Sequence, residues 1–355
     1  MPKGETAYTT QVQYYQGAVQ SANLLKTVAT TYSTAVSPFS NNGSNGGVNM
    51  NIVPTQITTT WANGQTSMVT KTYDSGFTFP SPVPGDNTIY TGLYGKVTVQ
   101  KEYDYGTTSG QPGPLLRQTN TSYAWQSPNP NYASYLGNNM LNLVYSTQIT
   151  DKNNNPIAYT QYGYDETPTT AYTTTPQNLD TNVWTGSLRG NRTSVNRWLN
   201  LPTAKTVTST TTYYNTGMPS VVTDPLLHQT TYSYSSTFQD AYVTQVQNAL
   251  TPPQSVYYNY DLNTGLKTST TDVNQLVTNY NYDSMWRLSQ ASYPDKGQDT
   301  ITWQESSPPF TGTLTSTINT NQNKIPLSVF DGLGRVSQTQ LTSDPQGIDY
   351  TDTTY

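Results

Sequence analysis

The feature that most constrains this chain is an internal repeat in which an aspartate is followed eight positions later by a tyrosine. The spacing occurs in residues 150–159 (TDKNNNPIAY), 223–232 (TDPLLHQTTY) and 271–280 (TDVNQLVTNY). In two of these segments a glycine, Gly217 or Gly265, precedes the aspartate by seven residues. A glycine turn, a strand of about six residues, an aspartate-led turn and a returning strand make a β-hairpin. The repeat therefore predicts successive hairpins.

Each returning strand contains a pair of tyrosines separated by one residue. The pairs are Tyr162 with Tyr164, Tyr232 with Tyr234, and Tyr280 with Tyr282. Because successive side chains of a strand point to opposite faces, both rings of a pair lie on the same face of the sheet. This face is the predicted core.

A second signature follows the returning strand and places an aromatic residue, an aspartate and an arginine at fixed offsets. It reads YDSMWRL in residues 282–288 and FDGLGRV in residues 330–336, and YDLNTGL in residues 260–266 is a variant longer by one residue. These segments resemble the YD repeat of the RHS family, in which aromatic-Asp, two variable residues and Gly-Arg-Leu precede the outgoing strand. Trp286 stands where that pattern has glycine, and Leu227 also departs from it in the Asp224 turn.

The resemblance implies a fold and a structural role for the motif residues. It implies an all-β array of hairpins that forms a long, curved or spiralling antiparallel sheet with little or no helix. In complete family members such a sheet forms a shell that can enclose a toxic C-terminal domain or can mediate contact at the cell surface. The motif residues are Tyr164, Asp165, Asp224, Tyr232, Tyr260, Asp261, Gly265, Asp272, Tyr280, Tyr282, Asp283, Arg287, Phe330, Asp331, Gly334 and Arg335.

Composition agrees with an all-β chain. Only 33% of the residues are hydrophobic and 10% are charged, whereas tyrosine alone contributes 30 residues. Threonine and tyrosine favour strands, and four glutamates are too few for long amphipathic helices. Disorder is the competing interpretation of such a polar chain, but the regular alternation of aromatic residues argues against it.

The match to the repeat divides the chain into three regions. Residues 201–355 match clearly, residues 60–200 match as degenerate repeats with long loops, and residues 1–59 match weakly. Stretches rich in Gly, Pro and Asn at 41–49, 109–114 and 126–131 are predicted to be surface loops. A further aspartate-led turn begins at Asp344, so the array is expected to be truncated at the C-terminus.

The search for chemistry predicts no catalytic residue, no cofactor and no metal. His228 is the only histidine and lies inside an aspartate-led turn. The aspartates of the repeat are explained as turn residues, which leaves few carboxylates for a glycoside hydrolase. Asp151 begins a segment like a calcium loop, but Pro156 and Tyr162 replace the glycine and the glutamate that such a loop needs.

The predicted function is therefore a structural, non-catalytic part of a secreted or cell-surface bacterial protein of the RHS type. Its expected partners are further repeat segments and a C-terminal cargo domain. A net charge of -5 argues against nucleic acid. No signal peptide is visible in the sequence, and no apolar run is long enough to insert into a membrane. An extracellular carbohydrate-binding or adhesin module is the alternative, with glycans as ligands, and a glycoside hydrolase is less favoured.

Overall fold

A computed structural model of the 355-residue chain describes residues 8–33, 52–80, 85, 87, 89–108, 110–129, 132–171, 188–199, 205–318 and 322–354. The chain divides into two compact units. The first contains residues 1–168 and 185–210, and the second contains residues 169–184 and 211–355. The match to the repeat predicted three regions with boundaries other than those of the two units. That division remains a prediction.

In the first unit, antiparallel strands follow one another with hairpin connections. The strands are β1 Gln11–Tyr15, β2 Leu24–Tyr32, β3 Pro54–Trp61, β4 Thr66–Tyr73, β5 Phe77–Pro80, β6 Ile89–Gly92, β7 Val97–Gly106, β8 Leu115–Tyr123, β9 Val144–Asp151, β10 Pro156–Tyr164, β11 Arg192–Leu199 and β12 Lys205–Tyr213, which ends in the second unit. Each pairs with the next, except that β4 pairs with β7, and β5 and β6 form a separate two-stranded sheet. One short helix, α1 Ala133–Gly137, lies between β8 and β9.

The second unit continues the same up-and-down pattern. Its strands are β13 Pro219–Thr223, β14 Gln229–Tyr234, β15 Val243–Gln247, β16 Ser255–Tyr260, β17 Lys267–Thr271, β18 Val277–Tyr282, β19 Leu288–Ser292, β20 Gln298–Gln304, β21 Phe310–Ile318, β22 Gln322–Lys324, β23 Pro326–Phe330, β24 Val336–Leu341 and β25 Asp349–Asp352. The described ladders between these strands are antiparallel, and β21 pairs with both β22 and β23. The single-turn 3-10 helix Ser236–Phe238 lies in this unit, and Ser21–Asn23 and Ala124–Gln126 are 3-10 turns of the first unit.

The two faces of the sheet differ in chemistry, as the period of two in the sequence requires. On one face Tyr280 pairs across the ladder with Ala291, which is buried. On the other face Asn281 pairs with Gln290, and its amide donates a hydrogen bond to the Gln290 side chain at 2.9 Å. We call these the tyrosine face and the amide face. Strands rich in Thr and Tyr suit such a pleated, half-buried surface.

The most deeply buried cluster of the first unit is aromatic. Ala124, Tyr132, Tyr135 and Tyr164 form it, with α1 and its flanking loops packing over the end of β10. Among the described residues outside this cluster, the buried hydrophobic side chains are Tyr234 and Ala291, and many tyrosines and threonines of the strands are partly buried. The packing is therefore a thin layer along the sheet.

The prediction of an all-β array of antiparallel hairpins is confirmed. The predicted loop at residues 41–49 lies outside the described residues. The described parts of the loops at 109–114 and 126–131 connect β7 with β8 and β8 with α1. Within the part of the chain that the structure describes, no helix has the length and apolar character needed to cross a membrane.

Candidate functional site

The hairpin ends carry the residues that the repeat singles out, and one turn geometry recurs there. In the Asp283 turn, the Asp283 N–H donates to the Arg287 carbonyl at 2.9 Å, and the Trp286 N–H donates to the Asp283 carbonyl at 3.0 Å. The Asp283 Oδ1 accepts the N–H groups of Met285 and Arg287, both at 2.9 Å. This is a three-residue hairpin loop with a left-handed third residue. The same backbone bonds close the turns that begin at Asp151, Asp224, Asp272 and Asp331.

Where the fifth residue of the turn, counted from the aspartate, has a polar side chain, that side chain binds the second carboxylate oxygen of the aspartate. Arg287 Nε donates to Asp283 Oδ2 at 2.8 Å, and Arg335 Nε donates to Asp331 Oδ2 at 2.8 Å. His228 Nδ1 lies 2.9 Å from Asp224 Oδ2 in the equivalent place. The only histidine of the chain thus occupies the position that arginine has in other turns.

These hydrogen bonds lower the pKa of the turn aspartates. The Asp283 carboxyl has a pKa below its ordinary value chiefly because the Arg287 N–H binds it, and the Arg287 side chain acts in the same direction. The pKa of Asp331 is lowered first by the Arg335 N–H and then by the Arg335 guanidinium. The ionised form of each carboxyl is therefore favoured in the folded turn.

The third residue of each three-residue loop, which is the fourth of the turn counted from the aspartate, has a positive φ whatever its side chain. Gly334 has a φ of 75°, whereas Leu227, Gln275 and Trp286 adopt 68°, 65° and 63°. A left-handed conformation costs about 1 kcal/mol for a residue with a Cβ. The two departures from the family pattern therefore keep the turn and accept this strain.

The Asp261 turn is longer by one residue and uses a glycine. The Asp261 N–H donates to the Leu266 carbonyl at 2.8 Å, and the Gly265 N–H donates to the Asp261 carbonyl at 2.9 Å. Gly265 has a φ of 72°, and a Cβ there would meet the Tyr242 hydroxyl at 2.9 Å. Glycine is favoured here both by the left-handed conformation and by the close approach of the Tyr242 ring.

In seven of the described hairpins, a tyrosine at the end of the returning strand locks the hairpin. The Tyr282 hydroxyl donates to the Lys267 carbonyl at 2.9 Å, and Tyr260 donates to the Val243 carbonyl at 3.0 Å. Tyr164 donates in the same way, and so do Tyr32, Tyr73, Tyr123 and Tyr234. We call this hydrogen bond the tyrosine lock.

One register rule specifies the acceptor of each tyrosine lock. In the register of the antiparallel ladder with the preceding strand, the residue just before the tyrosine lies opposite one residue of that strand. The carbonyl of this opposite residue accepts the hydrogen bond. The ladder with the following strand shifts register at each of these tyrosines. Phe330 has the same place at the end of β23 but lacks a hydroxyl, so that hairpin has no tyrosine lock.

Burial raises the phenol pKa of several of these tyrosines. The pKa of Tyr164 is raised to about 12, and those of Tyr260 and Tyr282 are raised in the same direction. Desolvation disfavours the phenolate, so the neutral hydroxyl remains a donor throughout the neutral pH range.

The aromatic-Asp motif also closes long loops. The Asp165 N–H donates to the Asn191 carbonyl at 2.9 Å, although 26 positions separate the two residues. The Asp165 carboxylate accepts the N–H groups of Arg189, Gly190 and Asn191 and the hydroxyl of Tyr135. Asp165 is thus a clamp at the base of an insertion.

The structure distributes the predicted motif residues over successive hairpins. It brings Asp283 together with Arg287, Asp331 with Arg335, and Asp261 with Gly265. Tyr232 and Tyr280 lie on the tyrosine face, with Lys267 Nζ 5.3 Å from the Tyr280 ring centre. Asp344 also leads a turn, since its Oδ1 accepts the Gln346 N–H. The sequence motif missed Tyr32 and Tyr123, whose signal is a tyrosine that ends an alternating strand.

The three glutamates that lie among the described residues are engaged in local contacts. Glu102 pairs with Arg117 at 2.8 Å, and this contact lowers the Glu102 pKa. Glu166 accepts hydrogen bonds from the hydroxyls of Thr193 and Ser194. Glu305 accepts one from Arg287. Among the described residues, no three His, Asp or Glu side chains are placed to hold a metal ion.

Comparison with known proteins gives weak likenesses only. No family model and no curated protein match this chain. A crystal structure of TcdB2-TccC3-Cdc42 is 14% identical over 93% of this chain and 23% of that chain, with a TM-score of 0.36. A TcdB2-TccC3-TEV structure is 13% identical over 92% and 19%, with a TM-score of 0.37. A Photorhabdus luminescens Tc holotoxin pore is 13% identical over 96% and 26%, with a TM-score of 0.32. The chain spans about a quarter or less of these chains.

Proposed function

We propose that this chain is a non-catalytic structural part of a secreted or cell-surface bacterial protein of the RHS/YD-repeat type, in which its sheet contributes to a β shell. The observation that carries the proposal is the recurrence of one hairpin unit. Each unit combines an aspartate-led turn with a strand-end aromatic residue, at the spacing of the sequence repeat. A repeated unit that buries its face against its neighbours is the design principle of structural arrays.

The carboxylates support a structural role. Hydrolysis of a glycoside requires two carboxyl groups that face a common substrate, one of them protonated near neutral pH. Asp283 and Asp331 instead have lowered pKa values and cap their own turns. Glu102 has a lowered pKa as well, because of its arginine partner.

The amide face also supports a structural role. Neighbouring strands present Gln245 beside Ser255, Asn259 beside Ser269, and Gln290 beside Gln298, and each pair is joined by a side-chain hydrogen bond. These three pairs are uncharged, and their donors bind neighbouring side chains of the same sheet. Such a surface suits a wall better than a recognition site.

The partners that follow from this proposal are further repeat segments, which would extend the sheet, and a cargo domain enclosed by it. The proposed location is outside the cell or on its surface.

The test is to purify the native gene product that contains this segment from bacterial culture fluid and envelope fractions and to image it by cryo-electron microscopy. We expect the hairpins to be joined into a continuous wall around an enclosed density. The proposal would be overturned if this segment alone hydrolysed chromogenic glycosides and if Glu166→Gln abolished that hydrolysis. Loss of turnover in Glu166→Gln but not in Glu102→Gln, which removes the same charge elsewhere, would exclude a general effect of charge.

A further inference from the structure

A cleft of about 400 Å³ opens at the ends of β20, β21 and β23 in the second unit. It lies between the loop that joins β20 to β21 and the Asp331 turn. Trp303, Phe310, Phe330, Glu305, Asp331 and Gly332 line it. Its volume is within the range of about 300–1,000 Å³ that is usual for small-molecule sites.

The aromatic floor of the cleft is held in place by the sheet beneath it. The rings of Trp303 and Phe330 lie 6.0 Å apart on either side of Gly312. A Cβ at Gly312 would come within 2.9 Å of the Trp303 ring. Glycine therefore lets the rings rest against the backbone, and they form a fixed platform.

Two features leave this platform open. Phe330 has no hydroxyl to form a tyrosine lock, so no polar group of its ring is bound to β21. Trp303 is 38% exposed, although the Arg287 guanidinium lies 4.8 Å from its ring centre. Arg287 is itself held by Asp283 and Glu305, so its guanidinium covers one face of the indole and leaves the rest of the ring to line the cleft.

The charges of the cleft are compensated. The Glu305 carboxylate pairs with Arg287, and the Asp331 carboxylate pairs with Arg335. A free cation or anion would have to compete with these pairs. A neutral ligand need not, and the carboxylates keep lone pairs that can accept hydrogen bonds from hydroxyl groups.

We propose that this cleft binds a neutral hexopyranose. A pyranose ring has a face of C–H groups, which would pack on Trp303 and Phe330, and a rim of hydroxyls, which would donate to Glu305 and Asp331. Aromatic rings with a few placed polar groups are the usual composition of a site for such a ligand. The inference is independent of the shell role, because a structural protein can carry a sugar site on its loops.

The experiment measures binding of D-glucose, D-galactose, D-mannose and N-acetylglucosamine to the full chain by saturation-transfer NMR and tryptophan fluorescence. We expect at least one of these sugars to bind with a millimolar dissociation constant, as befits a small ligand in an open cleft. Trp303→Ala is expected to abolish binding, with circular dichroism used to check folding.

A second variant tests the cleft without altering its rings. Gly332 has open space where a Cβ would lie, and Val273 occupies the equivalent place in the Asp272 turn. Gly332→Val should therefore fold and narrow the cleft, weakening sugar binding by about tenfold. Ser284→Val, at the same place in the Asp283 turn, should leave binding unchanged. The proposal is overturned if none of the four sugars binds, if Gly332→Val binds as well as the unaltered chain, or if choline binds in their place.

Discussion

The tyrosine lock can be tested by removing a single oxygen atom. Tyr282→Phe deletes the hydroxyl that donates to the Lys267 carbonyl at 2.9 Å and leaves the ring in place. The loss of one such hydrogen bond is expected to destabilise the second unit by about 1 kcal/mol. With a urea dependence of about 2 kcal/mol per molar, the midpoint of unfolding should fall by about 0.5 M while the slope stays the same.

Two further variants make this measurement specific. Tyr280 lies on the same face two residues earlier, and its hydroxyl has no hydrogen-bond partner among the described residues. Tyr280→Phe should therefore leave the midpoint nearly unchanged. Phe330→Tyr should raise it, since the register rule gives the new hydroxyl the Thr311 carbonyl as acceptor. Equal losses from Tyr282→Phe and Tyr280→Phe, or no gain from Phe330→Tyr, would refute the tyrosine lock.

Three other predictions follow from the same hairpin. Burial raises the pKa of Tyr164 in the folded state from an ordinary 10.0 to about 12. Its neutral form therefore contributes stability that is present below pH 10.0 and is lost as pH rises to about 12. In Tyr164→Phe, the free energy of unfolding measured in urea should depend less on pH over this range. Leu227→Gly should raise the unfolding free energy by up to about 1 kcal/mol by relieving a left-handed residue, whereas Leu226→Gly, at a neighbouring site of similar exposure, should not. Asp283 and Asp331 have lowered pKa values in the folded state, so their contribution to stability is present above an ordinary pKa of 3.8 and is lost as pH falls through the folded values. In Asp331→Asn, the melting temperature should therefore fall less in acid than in the unaltered chain.

The hairpins could be predicted from the sequence because their determinants are local. Asp283 and Arg287 are four positions apart, and both the turn and its side-chain contact form within that span. The backbone conformation of Trp286 also follows from this local frame, although the residue itself favours another conformation. A motif that forms several hydrogen bonds at once can hold one of its residues in a strained backbone conformation.

The remaining contacts could not be predicted, because they depend on register or on distant segments. The acceptor of Tyr164 is the Val144 carbonyl, which is fixed only once β9 and β10 are paired. Tyr135 reaches Asp165 from an insertion that the repeat does not describe. The cleft beside Trp303 depends on Gly312, whose spacing in the sequence gives no sign that an indole ring covers it.

The aspartate clamp explains how one hairpin design can carry loops of very different lengths. The N–H to carbonyl distance that closes the loop is 2.9 Å from Asp283 to Arg287, 2.8 Å from Asp74 to Lys96 and 2.9 Å from Asp165 to Asn191. Loop-closure entropy rises only as the logarithm of length, so lengthening a loop from about 4 to about 26 residues costs only about 2 kcal/mol. The three backbone N–H groups and the tyrosine hydroxyl that Asp165 binds can offset much of that cost. Insertions can therefore change at the hairpin ends while the strand pairing beneath them stays the same, and a loop-borne site such as the aromatic cleft can arise on one hairpin without altering its neighbours.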